Sequence, residues 1–421
     1  MQTIVIPASH IQRRSPASPQ PQAPLRTQPR PWHTLEVILK ITERCNIACT
    51  YCYFFNMDDN AAGNPVYMDG GTAQDVVAFL AKAVRDSGAS ALQIDIHGGE
   101  PLLMKKERFA QMCQVMREGL GFVGQLRIAL QTNAMLVDDE WIELFERFDI
   151  SVAVSLDGPA EYHDMFRLDH AGKGTHAQVV AGLRKLQAAA AAKRIYAIGT
   201  ICVPHYSFDA RRVLSHFVDD LGQRLLHISL PVPGSSADHF GPDGGAGYTR
   251  FLCDLFTAWT EREDPSIEIR LFQTLLGRLL GGREGLAEGK SRRGGYTAFT
   301  IQSDGQLCGP DDDRLAAYAF HAAVHAKSET SLDDFYDTPE MLRYAQSQAE
   351  RSPVCQSCCW GQVCEGGDVL GGRAYRFVPG QGHANPSAYC HGLQELLVLM
   401  TQWALGRGVP MARIEEVLIT A

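Results

Sequence analysis

Three thiols within eight residues define the chemistry this chain is equipped for. Cys45, Cys49 and Cys52 are spaced x3 and x2. They follow Leu35-Glu36-Val37-Ile38-Leu39-Lys40-Ile41, which alternates as a strand does before running apolar. The thiols therefore fall on a loop at a strand end. Three thiolates can hold three irons of a four-iron cluster and leave the fourth without a protein ligand, a layout for chemistry rather than scaffolding. The same spacing also suits part of a structural zinc knuckle. A second group, Cys355-x2-Cys358-x5-Cys364 and then Cys390, with Cys359 beside Cys358, supplies four thiolates. Four can bind zinc or a fully ligated iron–sulfur cluster.

Other polar groups stand at the ends of strand-like runs. His97-Gly98-Gly99-Glu100-Pro101 offers two glycines that let a ligand approach the backbone, and a carboxylate that can accept from an ammonium. It also reads as a Gly-Pro turn with a solvated Glu. Gln131-Thr132-Asn133 can hold ribose hydroxyls or close an Asx turn. Ser155-Leu156-Asp157-Gly158 precedes Arg167, whose guanidinium can grip a carboxylate in bidentate fashion. Ile198 and Ile201 suit either an adenine pocket or plain core. Cys113, Cys202 and Cys253 lie in apolar patterns and are expected to be buried structural thiols.

These positions need a scaffold that brings strand ends together. Strand-like runs cover 35–41, 91–97, 126–131, 150–155, 195–201 and 225–230, with helical patterns near 72–86, 106–119, 138–148, 174–190 and 208–222. Thr72 with Asp75 resembles a capping box. Six strands with helical crossovers call for a parallel sheet, open or curled into a partial barrel. In such folds ligands gather at the carboxyl ends of the strands, where the cysteine loop sits. Residues 241–247 and 281–295 read as Gly-rich loops around two helices at about 248–262 and 270–280. Asp304-Gly305 between short apolar runs predicts a hairpin, and a helix is expected near 391–406. The predicted division is a flexible Pro-rich segment at 1–32, an α/β barrel at 33–240, a helical linker at 241–295 and a cysteine-rich domain with its helix at 296–421.

Composition narrows the class. The chain has 421 residues, 45% hydrophobic and 21% charged, enough to bury a sizeable core. A formal charge of −9 argues against a general nucleic-acid binder. No apolar run reaches the length of a membrane span, and Pro7 ends the short apolar start, so no signal peptide is predicted. Twelve cysteines without an export signal read as ligands kept reduced in the cytoplasm.

The cysteine loop resembles that of the radical S-adenosylmethionine (SAM) enzymes, whose signature is C-x3-C-x-aromatic-C; Tyr51 fills the aromatic place. The resemblance implies a partial (β/α)6 TIM-like barrel. It implies a [4Fe–4S] cluster on Cys45, Cys49 and Cys52 whose open iron chelates SAM. One electron then yields a 5′-deoxyadenosyl radical that takes a hydrogen atom from the substrate. It further implies that Gly98, Gly99 and Glu100, as the GGEP motif, meet the SAM amino group. Gln131 and Asn133 would meet the ribose, and Ser155 and Arg167 the carboxylate. The SLDG strand end with His163-Asp164-Met165-Phe166-Arg167 and GKGT resembles a stretch of peptide-modifying members.

The C-terminal cysteines resemble the SPASM auxiliary-cluster domain, with departures. Asp368 stands where a cysteine should follow Cys364, no cysteine lies 9 to 15 residues before Gly305, and Cys308 follows that glycine by x2 rather than x4. Carried over residue by residue, Cys355, Cys358, Cys364 and Cys390 make one auxiliary [4Fe–4S] cluster, leaving Cys308 and Cys359 over. The match is closest to maturases of ribosomal peptides that join an aromatic ring carbon to a Cβ two residues along. It rests on residues 39–56, the Trp141-Ile142 helix after QTNAM and the degenerate SPASM pattern. The implied partners are a precursor peptide and a flavodoxin or ferredoxin-type electron donor, with no nucleic acid and no membrane. No separate leader-binding module is expected before the barrel. The acidic run Asp311-Asp312-Asp313 is a candidate proton acceptor or a solvated loop. Thioether formation, epimerisation and sulfatase-type oxidation of Cys or Ser are rival reactions, and a zinc-stapled binding protein is the non-enzyme alternative.

Overall fold

The computed structural model describes residues 34–55, 64–195, 198–233, 239, 245–281, 298–310, 321–370, 374–378 and 381–419. The N-terminal Pro-rich segment, the Gly-rich 281–295 stretch beyond residue 281, and Asp311-Asp312-Asp313 lie outside them.

The alternation of apolar residues produces the predicted βα order. Strand β1 (Thr34–Lys40) leads through the cysteine loop to helix α1 (Gly70–Ser87), then β2 (Ala91–His97), α2 (Lys106–Leu120), β3 (Gln125–Thr132), α3 (Asp139–Arg147) and β4 (Ile150–Ser155). Short α4 (Ala160–Phe166) and α5 (His176–Ala191) precede β5 (Ile198–Cys202). Helix α6 (Ala210–Ser215) runs on as a π-turn over His216–Asp220, and β6 (Leu225–Ile228) follows. Strands β1 to β6 pair in parallel in sequence order, the arrangement that right-handed crossovers generate. In β1, Leu35, Val37 and Leu39 are fully buried in the core shared with α1, while Glu36 and Ile38 face the barrel interior.

Helix α1 departs from expectation at its start. It begins at Gly70, and the Asp69 carboxylate accepts from the Thr72 N–H at 2.8 Å. Asp69 is the N-cap, not Thr72, because its carboxylate, three residues upstream, satisfies the free Thr72 amide in the first turn.

The sheet extends past six strands. After α7 (Tyr248–Glu261), two-residue β7 (Glu268–Ile269) adds parallel to β6 and leads into α8 (Arg270–Leu279). Strand β8 (Ala298–Ile301) pairs in parallel with β1, and β9 (Gln306–Cys308) turns back antiparallel at Gly305, whose φ is 89°. Among the described residues, strand β10 (His321–His325) completes a ten-stranded sheet in the order β10-β9-β8-β1-β2-β3-β4-β5-β6-β7. The predicted hairpin is thus an edge of the barrel sheet itself.

Three short helices follow: α9 (Leu332–Tyr336), α10 (Pro339–Ala349) and α11 (Pro353–Gln356). Helix α12 (Gly361–Cys364) carries the next cysteine. Helix α13 (Cys390–Gly406) matches the expected helix, and α14 (Met411–Ile419) was not anticipated. Helix α13 packs against α7, with Tyr389 at its start edge-on to Tyr248 at 5.3 Å. The cysteine-rich region is thereby seated on the barrel.

Candidate active site

Three separate strand ends hold the cysteine loop. The Gly99 N–H donates to Thr42 O at 2.9 Å and the Glu100 N–H to Arg44 O at 2.7 Å. A Cβ on Gly98 would lie 2.4 Å from Thr42 O, and one on Gly99 2.2 Å from Arg44 O. Gly98 also has φ +138°, a conformation that favours glycine. The room these glycines leave is taken by the loop backbone itself, while both glycines also line the cavity described below. The residues after β4 clamp the other side: Ala48 N–H donates to Leu168 O at 2.7 Å and Thr50 N–H to Phe166 O at 3.0 Å.

Beneath the loop lies a buried polar triad. The Tyr51 hydroxyl donates to Asp157 Oδ2, and Arg167 Nε donates to the same oxygen at 2.8 Å. The Val203 N–H satisfies Asp157 Oδ1 at 2.9 Å. Arg167 Nη1 lies 3.7 Å from the Cys49 sulfur, and its guanidinium sits 5.5 Å from the Tyr51 ring centre. Arg167, expected to grip a carboxylate, thus has one edge committed to Asp157 and another to a cysteine sulfur. Burial pushes the Cys49 thiol up to about 11, with Arg167 pulling the other way. Burial pushes Cys45 up to about 12 and raises Cys52 as well. Such thiols bind a metal only by giving up their protons.

Glu100 is also turned to a structural task. It is 1% exposed, and its carboxylate accepts from the Leu102 N–H at 3.0 Å, the Thr132 hydroxyl at 2.7 Å and the Asn133 N–H at 2.7 Å. Burial raises it to about 6 against these donors. Three donors on one carboxylate tie the end of β2 to the end of β3 and leave little of it for an incoming ammonium. Asn133 closes an Asx turn by accepting from the Met135 N–H at 3.1 Å, and its amide donates to Asn46 Oδ1 of the cysteine loop at 2.7 Å. Gln131 Nε2 donates to Ser155 Oγ at 3.2 Å.

These groups converge. Cys45, Cys49, Cys52, Tyr51, Gly98, Gly99, Glu100, Gln131, Asn133, Ser155 and Arg167 all line one cavity of about 530 Å³. Ile201 joins them, whereas Ile198 packs against the core. The cavity runs down into the barrel because Ala129, Ala153 and Gly199 stand among its lining residues, where packed barrels carry bulky branched side chains. Sequence reasoning missed Glu36, Asp95, His227 and Arg270, which line the same space. The signal was there: Glu36 and Asp95 are charges at inward positions of strands whose other face is fully apolar. Burial raises both carboxyls and lowers His227 to about 4.

The second cysteine group also assembles. Cys355, Cys358, Cys364 and Cys390 line one tight, mostly apolar pocket with Trp360, Leu393 and Leu397. The Gly366 and Gly367 N–H groups point at the Cys364 sulfur, and both glycines have positive φ, 73° and 99°. The Cys358 thiol is pulled down to about 6, first by its neighbour Cys359, then by the Trp360 N–H, the Gln394 amide and the Gly361 N–H. Asp368, in the place of an expected cysteine, lies 3.4 Å from buried Arg376. Cys308 lies on β9 and receives a hydrogen bond from Gln302. Cys113 and Cys202 are fully buried as expected, while Cys253 is only partly so. Among the described residues no three His, Cys, Asp or Glu side chains converge tightly enough to grip a single ion; at each site the thiols stand around a space.

Residues 39–217 match the model of the radical SAM superfamily. They belong to that superfamily. The radical SAM segment spans β1 through α6, and with it the chain is an enzyme that works with a [4Fe–4S] cluster and SAM. The cysteine-type anaerobic sulfatase-maturating enzyme of Clostridium perfringens (strain 13 / Type A) is 24% identical over 332 residues, 77% of this chain and 85% of that protein. The structure described as native anSMEcpe with bound AdoMet and Cp18Cys peptide superposes with a TM-score of 0.71 at 21% identity, covering 92% of this chain and 99% of that one. Streptococcus suis SuiB bound to precursor peptide SuiA gives a TM-score of 0.53 at 16% identity, covering 85% and 76%. The likeness of fold to these structures therefore extends beyond the matched segment into the cysteine-rich region, and no helix of the described residues is long and apolar enough to cross a membrane.

Proposed function

We propose that the chain is a peptide maturase. In this reading it removes a Cβ hydrogen from a ribosomally made precursor and joins that carbon to an aromatic ring. The observation that carries this is the single cavity in which three cysteine thiols, the Gly98-Gly99 turn and the polar ends of β3 and β4 meet above a hollow barrel.

Cys45, Cys49 and Cys52 would hold the SAM-cleaving [4Fe–4S] cluster. Their fit rests on the donor set. Arg167 stands 3.7 Å from the Cys49 sulfur, and backbone N–H groups of Ile47, Phe54 and Phe55 point at Cys45 and Cys52. Positive charge and amide donors favour thiolates. Gln131 and Asn133, at the end of β3, would meet the ribose, and Ser155, at the end of β4, the carboxylate of SAM. Cys355, Cys358, Cys364 and Cys390 would hold one auxiliary cluster, the Cys358 sulfur met by the N–H groups of Trp360 and Gly361 and the Cys364 sulfur by those of Gly366 and Gly367.

Bound together, cluster and SAM supply a hydrogen-atom acceptor, and over a turnover the peptide's two lost hydrogens are accounted for by 5′-deoxyadenosine, methionine and one proton. The chain's own work is positional. The barrel walls exclude water, and the Tyr51–Asp157–Arg167 triad fixes the loop. Glu36 and Asp95, their carboxyls raised by burial, stand where a ring proton can be received. The peptide reaches this space from the open strand ends, and a flavodoxin or ferredoxin-type protein supplies the initiating electron.

A second reading, oxidation of a Cys or Ser side chain, is favoured by the similarity to sulfatase-maturating enzymes over 77% of the chain. Asp368 and the engaged Cys308 weigh against it, because they leave one auxiliary ligand set where that family keeps two. Anaerobic turnover with peptides encoded beside the gene separates them. Loss of two hydrogens, with the two linked residues inseparable on fragmentation, is the expected product. An aldehyde trapped by a hydrazine reagent would replace this reading with the second, and SAM left uncut would remove both.

A further inference from the structure

We propose that Gln394 tunes the reduction potential of the auxiliary group, raising it so that the group accepts an electron. This rests on the reading that Cys355, Cys358, Cys364 and Cys390 hold an iron–sulfur cluster. Gln394 lies one turn after Cys390 on α13, on the same helix face. Its Nε2 sits 3.8 Å from the Cys358 sulfur and 3.7 Å from the Cys390 sulfur, so one amide reaches two of the four ligands.

The amide's orientation follows from charge. A carboxamide can present either its oxygen or its NH2 group. Facing two thiolates, the oxygen would bring lone pairs against negative sulfur, whereas the NH2 group has two hydrogens, one for each. Leu393, Leu397 and Trp360 around the pocket keep the local dielectric low, so these dipoles act at close to full strength.

Hydrogen bonds to cluster sulfurs favour the state with more negative charge, which is the reduced one. The backbone donors at Cys358 and Cys364 do the same, but the chain path fixes them. Arg376 also lies near the pocket, yet it is engaged with Asp368 at 3.4 Å and with Glu350 O at 2.9 Å. Gln394 is thus a side-chain donor that can be changed without moving the backbone. An electron leaving the newly bonded aromatic ring needs an acceptor, and a raised potential makes this site a better one.

The test is a redox titration, followed by electron paramagnetic resonance, of anaerobically purified full-length enzyme and its Gln394→Leu and Gln394→Glu variants, with iron counted in each. Wild type and both variants are expected to carry about eight irons. The auxiliary signal should shift to lower potential in Gln394→Leu and further in Gln394→Glu, while the other cluster's signal stays in place. If Gln394→Leu sheds iron, the near-isosteric Gln394→Glu carries the comparison. An unchanged auxiliary potential with full iron overturns the role of Gln394 alone. A Cys364→Ala enzyme that retains all of the wild-type iron overturns the site reading on which it rests.

Discussion

The two cysteine groups use one kind of ligand for opposite ends. The thiols of 45–52 sit on a loop at the lip of a 530 Å³ cavity, flanked by polar strand ends. Those of 355–390 close around a tight apolar pocket and already number four. Three thiolates leave a coordination position for a reactant; four leave none. The surroundings agree. Around the first loop the fold spends buried charge, an Asp157–Arg167 pair with Arg167 beside Cys49. Around the second a buried Asp368–Arg376 pair stands nearby, but the donors aimed at the Cys358, Cys364 and Cys390 sulfurs are neutral, backbone N–H groups and the Gln394 amide. Charge fixes a ligand loop rigidly, whereas neutral donors adjust a potential without adding a net charge.

That contrast can be broken. A Cys45→Ala/Cys49→Ala/Cys52→Ala enzyme should fall from about eight irons to about four and lose all 5′-deoxyadenosine formation. A Cys355→Ala/Cys364→Ala enzyme should lose the other four irons yet still cleave SAM, with peptide product falling far more than cleavage. Chromatography of the nucleoside beside mass spectrometry of the peptide reads both. Asp157→Asn leaves Arg167 buried without its counter-charge and should cost about 3–5 kcal/mol, seen as a lowered denaturation midpoint. Gly99→Ala forces a Cβ to 2.2 Å from Arg44 O; about 1–3 kcal/mol and weakened SAM binding are expected, measured by melting with and without SAM.

The smallest effect sharpens the comparison through pH. Glu100 is raised from 4.5 to about 6, chiefly by burial. The folded state then holds more protons than the unfolded one between these values, so the group's contribution is fully present below 4.5 and is lost as pH rises through 6. The loss amounts to about 2 kcal/mol. Melting curves of wild type should converge toward those of Glu100→Gln on the alkaline side of that window, relative to pH 4.5. A parallel pair of pH profiles would count against a buried, ionising Glu100.

Much of this was legible from residue order. Period-two runs placed β1 to β6 within a few residues, because parallel strands declare themselves by apolar alternation. The cysteine spacings picked out both groups of thiols that the fold brings together. Less visible were the short strands β7 and β10, too brief for any periodicity, and the pairing of β8 with β1, which depends on partners far apart in sequence. Side-chain roles were the hardest to read. Arg167 was legible as a cation at a strand end, but Asp157, the partner that claims its Nε, is set by the turn after β4. Glu100 looked like a free carboxylate because its three donors come from its own turn and from β3, and only folding brings them together. Gln394 carries no sequence signal beyond its i+4 spacing from Cys390.

The central claim is that the loop at the end of β1 presents a metal group with a vacant position. Iron analysis and SAM-cleavage assay of oxygen-protected wild type beside the Cys45→Ala/Cys49→Ala/Cys52→Ala variant address it together. The account predicts a difference of about four irons and nucleoside release by wild type alone. Equal iron in both, zinc in place of iron at that loop, or SAM cleavage by the variant would contradict it.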